Sequence, residues 1–374
     1  MKFIISSTAF SARLQALGRV VTSKNSVSIL ECFLFDIHDK KLTLTASDNE
    51  NTLTSVLDLQ EQDGDIRFAV NAKKMQEAMK SIPEQPLEIY VNEQTLEITV
   101  AYQNGQYRFT AQRADEYPVP PSLDGDITEL SLPTARLVAA VSRDLFATAD
   151  DTLRPVMNGV YFDVTDGRVS FVASDGHKLA CSSLLDTAPG QEGSFILPKK
   201  PAGLLKSLFN KDDELVTVRF NMQSAVFSTS SATLTCRLID GHYPNYRSVI
   251  PTANPNEATL NRQALLSVLG RVMIFSNVNS ALVKLTFDAG SLSVSSSDID
   301  FSMSAEEKML CDYKGMPLRI GFKGPYLSEL LTNLESEEVT FRLADGTRAG
   351  VIVPAEQPQG EEVLMLLMPM MLND

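Results

Sequence analysis

The chain has 374 residues, a formal net charge of −14, 44% hydrophobic residues and 21% charged residues. These proportions are those of globular domains and exclude a disordered or low-complexity chain, while the acidic total argues at first sight against nucleic acid. The longest apolar run, Val363 to Leu372, has ten residues and contains Pro369, so no membrane span is expected, and Phe3-Ile4-Ile5 is too short for a secretory signal.

In chain order, Thr8–Val20 carries Phe10, Leu14 and Leu17 at helical spacing, and Phe33–Ile37 then alternates like a strand. A hydrophilic turn, Asp39-Lys40-Lys41, leads into a second alternating segment that ends in Ser47-Asp48. Arg67–Val70 reads as a strand before a helix at Ala72–Ile82, and Leu87–Val91 and Leu96–Tyr102 read as further strands. After the proline cluster Tyr117–Pro121 the same series returns. Thr134–Ala147 is helical, Val160–Val164 alternates, and Ala173-Ser174-Asp175-Gly176-His177-Lys178 repeats the Ser-Asp turn. Ser194–Leu197 then enters a helix at Lys199–Asn210, with strands at Val216–Phe220 and Ala232–Leu238.

A second proline cluster, Pro251–Pro255, opens the last third, with helices expected at Asn261–Phe275 and Lys323–Leu334. The strands there are Val283–Phe287, Leu318–Gly321 and Val339–Leu343, and Ser297-Asp298 supplies the third copy of the turn. The shared aspartates, 48, 175 and 298, lie 127 and 123 residues apart. Repeats of that length are whole domains. The expected fold is α+β, with three tandem domains at 1–122, 127–250 and 256–374, each holding two βαβββ units. Thr8, Thr134 and Asn261 are the expected helix N-caps.

The six helical segments carry thirteen Lys or Arg and only three acids, Glu77, Asp144 and Glu329. Helices accept Glu as readily as Lys, so its scarcity points to a polyanion-facing surface on an acidic body. Cys32, Cys181, Cys236 and Cys311 have no ligand spacing. They are expected as buried reduced thiols in a cytoplasmic protein, with no metal and no cofactor. Ser174, Asp175 and His177 are the residue types of a hydrolytic triad, but they fall within four positions on one turn. Nucleophile, base and orienter rarely converge from so short a segment, so no catalytic role is expected.

The three tandem domains, the Ser-Asp-Gly-His-Lys-Leu stretch at 174–179, Asp240-Gly241-His242-Tyr243-Pro244-Asn245-Tyr246 and the closing Met368-Pro369-Met370-Met371-Leu372 resemble the bacterial sliding clamp family, the beta subunit of DNA polymerase III. The resemblance covers the whole chain. It implies a non-catalytic processivity factor, a head-to-tail homodimer closed into a ring around double-stranded DNA, each chain forming half. By resemblance, the DNA-facing bases are Arg13, Lys24, Lys73, Arg143, Lys199 and Arg271.

A partner-peptide pocket is likewise implied at Met157, Ser174, Gly176, His177, Lys178, Leu179, Pro244, Val249, Tyr326, Leu366, Leu367, Met368, Pro369 and Met370. Its implied clients are the polymerase III catalytic subunit, the clamp loader, repair polymerases and mismatch-repair proteins, all through short linear motifs. Lys74, Arg108, Ile274 and Phe275 match the dimer interface, the basic pair facing acids such as Asp300, Glu306 and Glu307. The chain departs from common family residues at Ser248, Ser280 and Met371. The competing reading is a peptide-binding scaffold that does not touch DNA, against which the basic helices tell.

Overall fold

The structure is a computed structural model and describes residues 1–22, 27–120, 122–187, 190–209 and 215–372. Six strand–helix–three-strand units follow one another along the described residues. Their helices are α1 (Ser7–Leu17), α2 (Ala72–Lys80), α3 (Thr134–Asp144), α4 (Lys199–Leu208), α5 (Arg262–Val272) and α6 (Gly324–Thr332). In α2, Ala72, Met75 and Met79 bury one stripe while Lys73, Lys74 and Lys80 face out. Asn71 caps this helix by accepting from the Lys74 N–H.

Asn261 caps α5 as expected, accepting from Ala264 N at 2.9 Å. The other two expected caps are corrected. Ser6 caps α1, its hydroxyl also 3.0 Å from Thr8 Oγ1, and Thr134 is the first residue of α3 rather than its cap. The segments expected to finish the first helices of the second and third domains, Leu145–Ala147 and Met273–Phe275, tighten into 3-10 turns.

The chain divides into two compact units, residues 1–138 with 203–238 and residues 139–202 with 239–374. The first holds a five-stranded and a nine-stranded sheet. In the five-stranded sheet, Lys2–Ser6 pairs with Pro86–Val91, and the far edge is Gly105–Thr110. In the nine-stranded sheet, Cys32–His38, Lys41–Ser47 and Asn51–Asp58 continue into Ala232–Arg237. Ile66–Asn71 pairs with Cys32–His38, so each βαβββ unit lends its first strand to the other unit's sheet. That exchange makes the pair inseparable.

The second unit repeats this scheme. Its nine-stranded sheet runs through Gly159–Thr165, Arg168–Ser174 and Lys178–Leu184 into Glu361–Leu367. Its four-stranded sheet has the order Met303–Leu310, Ser291–Asp298, Leu282–Asp288, Leu318–Lys323.

The period-two segments bury equivalent aromatics. Phe35 stacks on Phe68 with centroids 5.0 Å apart, and Phe162 stacks on Phe195 at 4.4 Å. Each such ring contributes about 1.5–3 kcal/mol by burial. The repeated aspartate also has one physical job. Asp48 Oδ1 accepts from the N–H groups of Glu50 and Asn51, Asp175 Oδ1 from His177 and Lys178, and Asp298 Oδ1 from Asp300 and Phe301. Each closes the turn between two sheet strands, which is why the sequence repeats it.

Candidate functional site

In the second unit the Asp175 turn borders a cavity of about 360 Å³. Leu179 and Leu366, directly opposed on paired strands, form its buried floor with Met157. Val249 and Met368 stand half exposed at its rim beside Pro244 and His177. Gly176 adopts φ +89°, and a Cβ there would meet the Arg154 Nη1 at 3.0 Å. Glycine meets both demands without strain or displacement of Arg154. Ser174 Oγ accepts from Gly176 N and donates to Lys178 O. With Asp175 bonded to the backbone as well, these side chains build the turn and form no triad with His177.

The segment opposite is pinned to the sheet. Tyr243 stacks on Tyr161 at 4.7 Å with 2° between planes. Tyr246 donates to Asp163 Oδ2 at 2.7 Å, and Arg247 bonds Asp163, Thr165 and Asp166. Burial pushes both tyrosine hydroxyls well above their ordinary range, so both stay neutral, Tyr246 as the donor to Asp163. The Asp151 carboxylate is held below its usual range by the Leu153 N–H and the Arg154 guanidinium, which fixes Arg154 at the cavity wall.

The structure brings Met157, Ser174, Gly176, His177, Lys178, Leu179, Pro244, Val249, Leu366 and Met368 together around this cavity. Four expected members lie elsewhere. Strand alternation points Leu366 and Met368 to the cavity side and Leu367 to the other face. Met370 turns onto Gly321, its N–H donating to that carbonyl at 2.8 Å, and carries Pro369 away with it. The Tyr326 ring stands 4.5 Å from the Lys178 ammonium and 4.7 Å from that of Lys323. Lys178 also pairs with Glu329 at 2.6 Å, and the Tyr326 ring lies 6.1 Å from that of His177, so Tyr326 packs against two lining residues without itself lining the cavity. Arg154, Tyr243, Asn245 and Tyr246 line the cavity and were not anticipated. Three of them stand in the Tyr-Pro-Asn-Tyr motif, which was the signal available.

Of the expected DNA-facing bases, Lys73 and Lys199 are exposed and Arg13 is half-buried. Lys24 lies outside the described residues. Arg271 is exposed but donates to both Glu307 oxygens, at 2.8 and 2.6 Å. Arg143 is corrected. It is only 9% exposed, donates to Ser182 Oγ and pairs with Glu361 at 3.4 Å. A guanidinium buried with its own carboxylate has no open face for phosphate. Arg262 is removed from the basic surface in the same way, donating to the carbonyls of Ser336 and Leu331. Beside Arg143, Asp144 is fully buried and accepts from Ser182 Oγ, and desolvation pushes its carboxyl up to about 8.

Ile274 and Phe275 are exposed in the turn after α5, as are Ile299, Phe301 and Leu310 near the edge strand. Lys74 and Arg108 are exposed as well. Glu307 is already engaged by Arg271, which leaves Glu306 and Asp300 as the acids on that side. The four cysteines are buried and unbridged, and burial raises the Cys181 and Cys236 thiols to about 12. Among the described residues no helix is long and apolar enough to cross a membrane.

The N-terminal, central and C-terminal domains of the DNA polymerase III beta subunit match residues 1–121, 131–245 and 247–370. The chain belongs to the DNA polymerase III beta subunit family. Its relatives include the beta sliding clamp of Pseudomonas putida, 28% identical over 369 residues, 98% of this chain and 99% of that one. The Haemophilus influenzae beta sliding clamp is 28% identical over 374 residues with the same coverage. A Pseudomonas aeruginosa sliding clamp bound to griselimycin superposes with a TM-score of 0.92 at 27% identity, covering all of both chains. Membership in this family makes the chain a three-domain sliding clamp of DNA replication.

Proposed function

We propose that two copies close head to tail into a ring around duplex DNA, with domains at 1–122, 127–250 and 256–374. The observation that carries this reading is the sheet count. Each nine-stranded sheet arises where the last strand of one domain's first βαβββ unit pairs with the last strand of the next domain's second unit. The five- and four-stranded sheets end, within the described residues, in Gly105–Thr110 and Met303–Leu310, the same two kinds of strand. Joined between chains, they complete a third nine-stranded sheet. A heterologous contact generates a ring where its rotation closes, and closure removes two sheet edges open to aggregation.

The internal joints also give the register. Thr52 faces Thr235 and Leu179 faces Leu366. The equivalent pair is Ser304 with Arg108 of the partner subunit, which makes the next pair Ala305 with Tyr107 of the partner subunit. Arg108 then lies diagonal to Glu306, within reach for a charge pair. The exposed Ile274, Phe275 and Phe301 supply an apolar patch beside this edge.

In the ring, Lys73, Lys199 and Arg13 contact phosphates without reading sequence, as a sliding device requires. The acidic remainder limits sticking. The apolar cavity, floored by Leu179, Leu366 and Met157, desolvates the apolar anchors of short linear motifs. Its clients are the polymerase III catalytic subunit, the clamp loader, repair polymerases and mismatch-repair proteins, which therefore exclude one another.

The register is tested by a Tyr107→Cys/Ala305→Cys chain oxidised and run on a denaturing gel. In the internal joints this position falls between hydrogen-bonded pairs, where the side chains come closest. A cross-linked species of about 82 kDa, twice the 41.0 kDa chain, is expected. Equal cross-linking from the shifted Gln106→Cys/Ala305→Cys pair, or none from either, contradicts the register.

A further inference from the structure

The first unit holds a second cleft, of about 400 Å³, built on the same frame as the apolar cavity. Asn49 takes the place of Gly176, with φ +76° against +89° in the turn closed by the repeated aspartate. Tyr117-Pro118 takes the place of Tyr243-Pro244. The strand pairings superimpose in register. Arg237 N donates to Glu50 O at 2.9 Å, as Met368 N donates to His177 O at 2.9 Å. Thr52 and Thr235 stand where Leu179 and Leu366 form the other floor.

The frame is kept and its chemistry is replaced. Leu179, Leu366, Met368 and His177 become Thr52, Thr235, Arg237 and Glu50. Ser47, Asn49, Ser122, Asp124, Asn221, Gln223 and Ser224 complete a polar lining. Its charges are two carboxylates against one guanidinium, Arg237, which already pairs with Glu50 at 3.4 Å. The cleft is preformed. Asn221 Oδ1 accepts from the N–H groups of Gln223 and Ser224 while its amide donates to Asp124 O at 2.9 Å. Val119 of the lining is 81% exposed, and Met222, next in sequence to the lining residues Asn221 and Gln223, is 88% exposed.

We infer that this cleft is a second peptide-docking site, which takes an extended polar segment carrying a basic side chain. Threonines and amides cannot desolvate the apolar anchors that suit the other cavity, but they can satisfy polar side chains and backbone groups of a bound chain. With Glu50 paired to Arg237, the second carboxylate, Asp124, leaves one net negative charge to receive a Lys or Arg. Val119 and Met222 offer flanking apolar contact. The inference rests on the reading of the apolar cavity as a peptide site, from which the frame is transferred. Two sites of opposite chemistry on one chain let a client hold both, or let two clients share a ring without competing.

The test uses phage-displayed random heptapeptides selected on the full-length chain, with selected sequences remade as fluorescein-labelled peptides for anisotropy. Three double variants are compared with the wild type: Glu50→Lys/Asp124→Lys in the cleft, Val249→Asp/Met368→Asp at the apolar cavity, and Glu335→Lys/Glu356→Lys as a charge-matched control elsewhere. All six positions are exposed at the surface, and unchanged melting curves confirm folding. The expected result is a class of polar, Lys- or Arg-containing peptides that lose about tenfold affinity with the cleft variant. That class keeps wild-type affinity for the other two variants. Selection of no such class, or basic peptides weakened equally by the control variant, overturns the inference. Apolar peptides that fail to respond to Val249→Asp/Met368→Asp would instead overturn the reading of the first cavity.

Discussion

Replacing Arg143 by methionine removes a guanidinium whose side chain is 8% exposed and faces Glu361, itself 9% exposed, at 3.4 Å. Truncating one partner of such a buried pair leaves the other charged in a poorly solvated site, at a cost of about 3–5 kcal/mol. Ser182 loses its donor at the same stroke, and its hydroxyl is what Asp144 accepts from. Asp144 already titrates near 8 because burial dominates, and Arg143 is the largest influence holding it down. Without Arg143 the carboxyl rises further and stays neutral, which caps the loss. Adding Glu361→Met to Arg143→Met should recover most of the stability, because replacing both members of a buried pair by apolar groups is often neutral. Calorimetric melting of the two chains measures this, and retention on circular DNA is read in parallel at a temperature where both are folded. The expected outcome is a large drop in melting temperature for Arg143→Met, recovery in the double variant, and DNA retention equal to wild type in both. A single variant that melts normally but loses DNA would return Arg143 to the DNA surface and refute the reasoning.

Asp144→Asn should flatten part of the pH dependence of stability. The folded pKa of about 8 lies above the ordinary aspartate value of 3.8, so this group's contribution is complete below about pH 4 and is lost as pH rises toward 8, at up to about 1.4 kcal/mol per pH unit. Denaturation midpoints at intervals from pH 5 to 8 decide it, and parallel curves for the two chains contradict the assignment. Gly321→Ala places a Cβ 2.8 Å from Leu372 Cδ2 and 3.0 Å from Met370 O. The segment after Leu367 should lift, weakening peptides that lean on Met368 severalfold and exposing the segment to limited proteolysis. An unchanged peptide affinity would show that Met368 is held by its bond to His177 O alone.

The fold was legible because its recurring unit leaves local marks: alternating apolar residues, a helix-capping Asn261, and an aspartate that closes the same turn at 48, 175 and 298. Most of the cavity was legible for the same reason, since Ser174 to Leu179 is that turn and the strand leaving it. Leu367 could have been set aside from sequence, because alternation cannot send Leu366, Leu367 and Met368 to one face. Arg143 could not. It sits on a helix rich in small residues, and the carboxylate that buries it is 218 positions away, a distance no periodicity reports. Tyr326 failed in a similar way. Its partner Lys178 does line the cavity, but the fold spends that ammonium on Glu329 and on the Tyr326 ring, a pairing across 148 positions that the sequence does not report.

The ring is tested most directly by topology. The Tyr107→Cys/Ala305→Cys chain is cross-linked around nicked circular duplex DNA, washed at high salt to screen phosphate contacts, and then divided, with one half treated with a restriction enzyme that linearises the circle. A closed ring stays on the circle through the wash and leaves when the circle is cut. Loss from the circle at high salt, or equal retention on circular and linear DNA, would mean that the chain binds the duplex without encircling it.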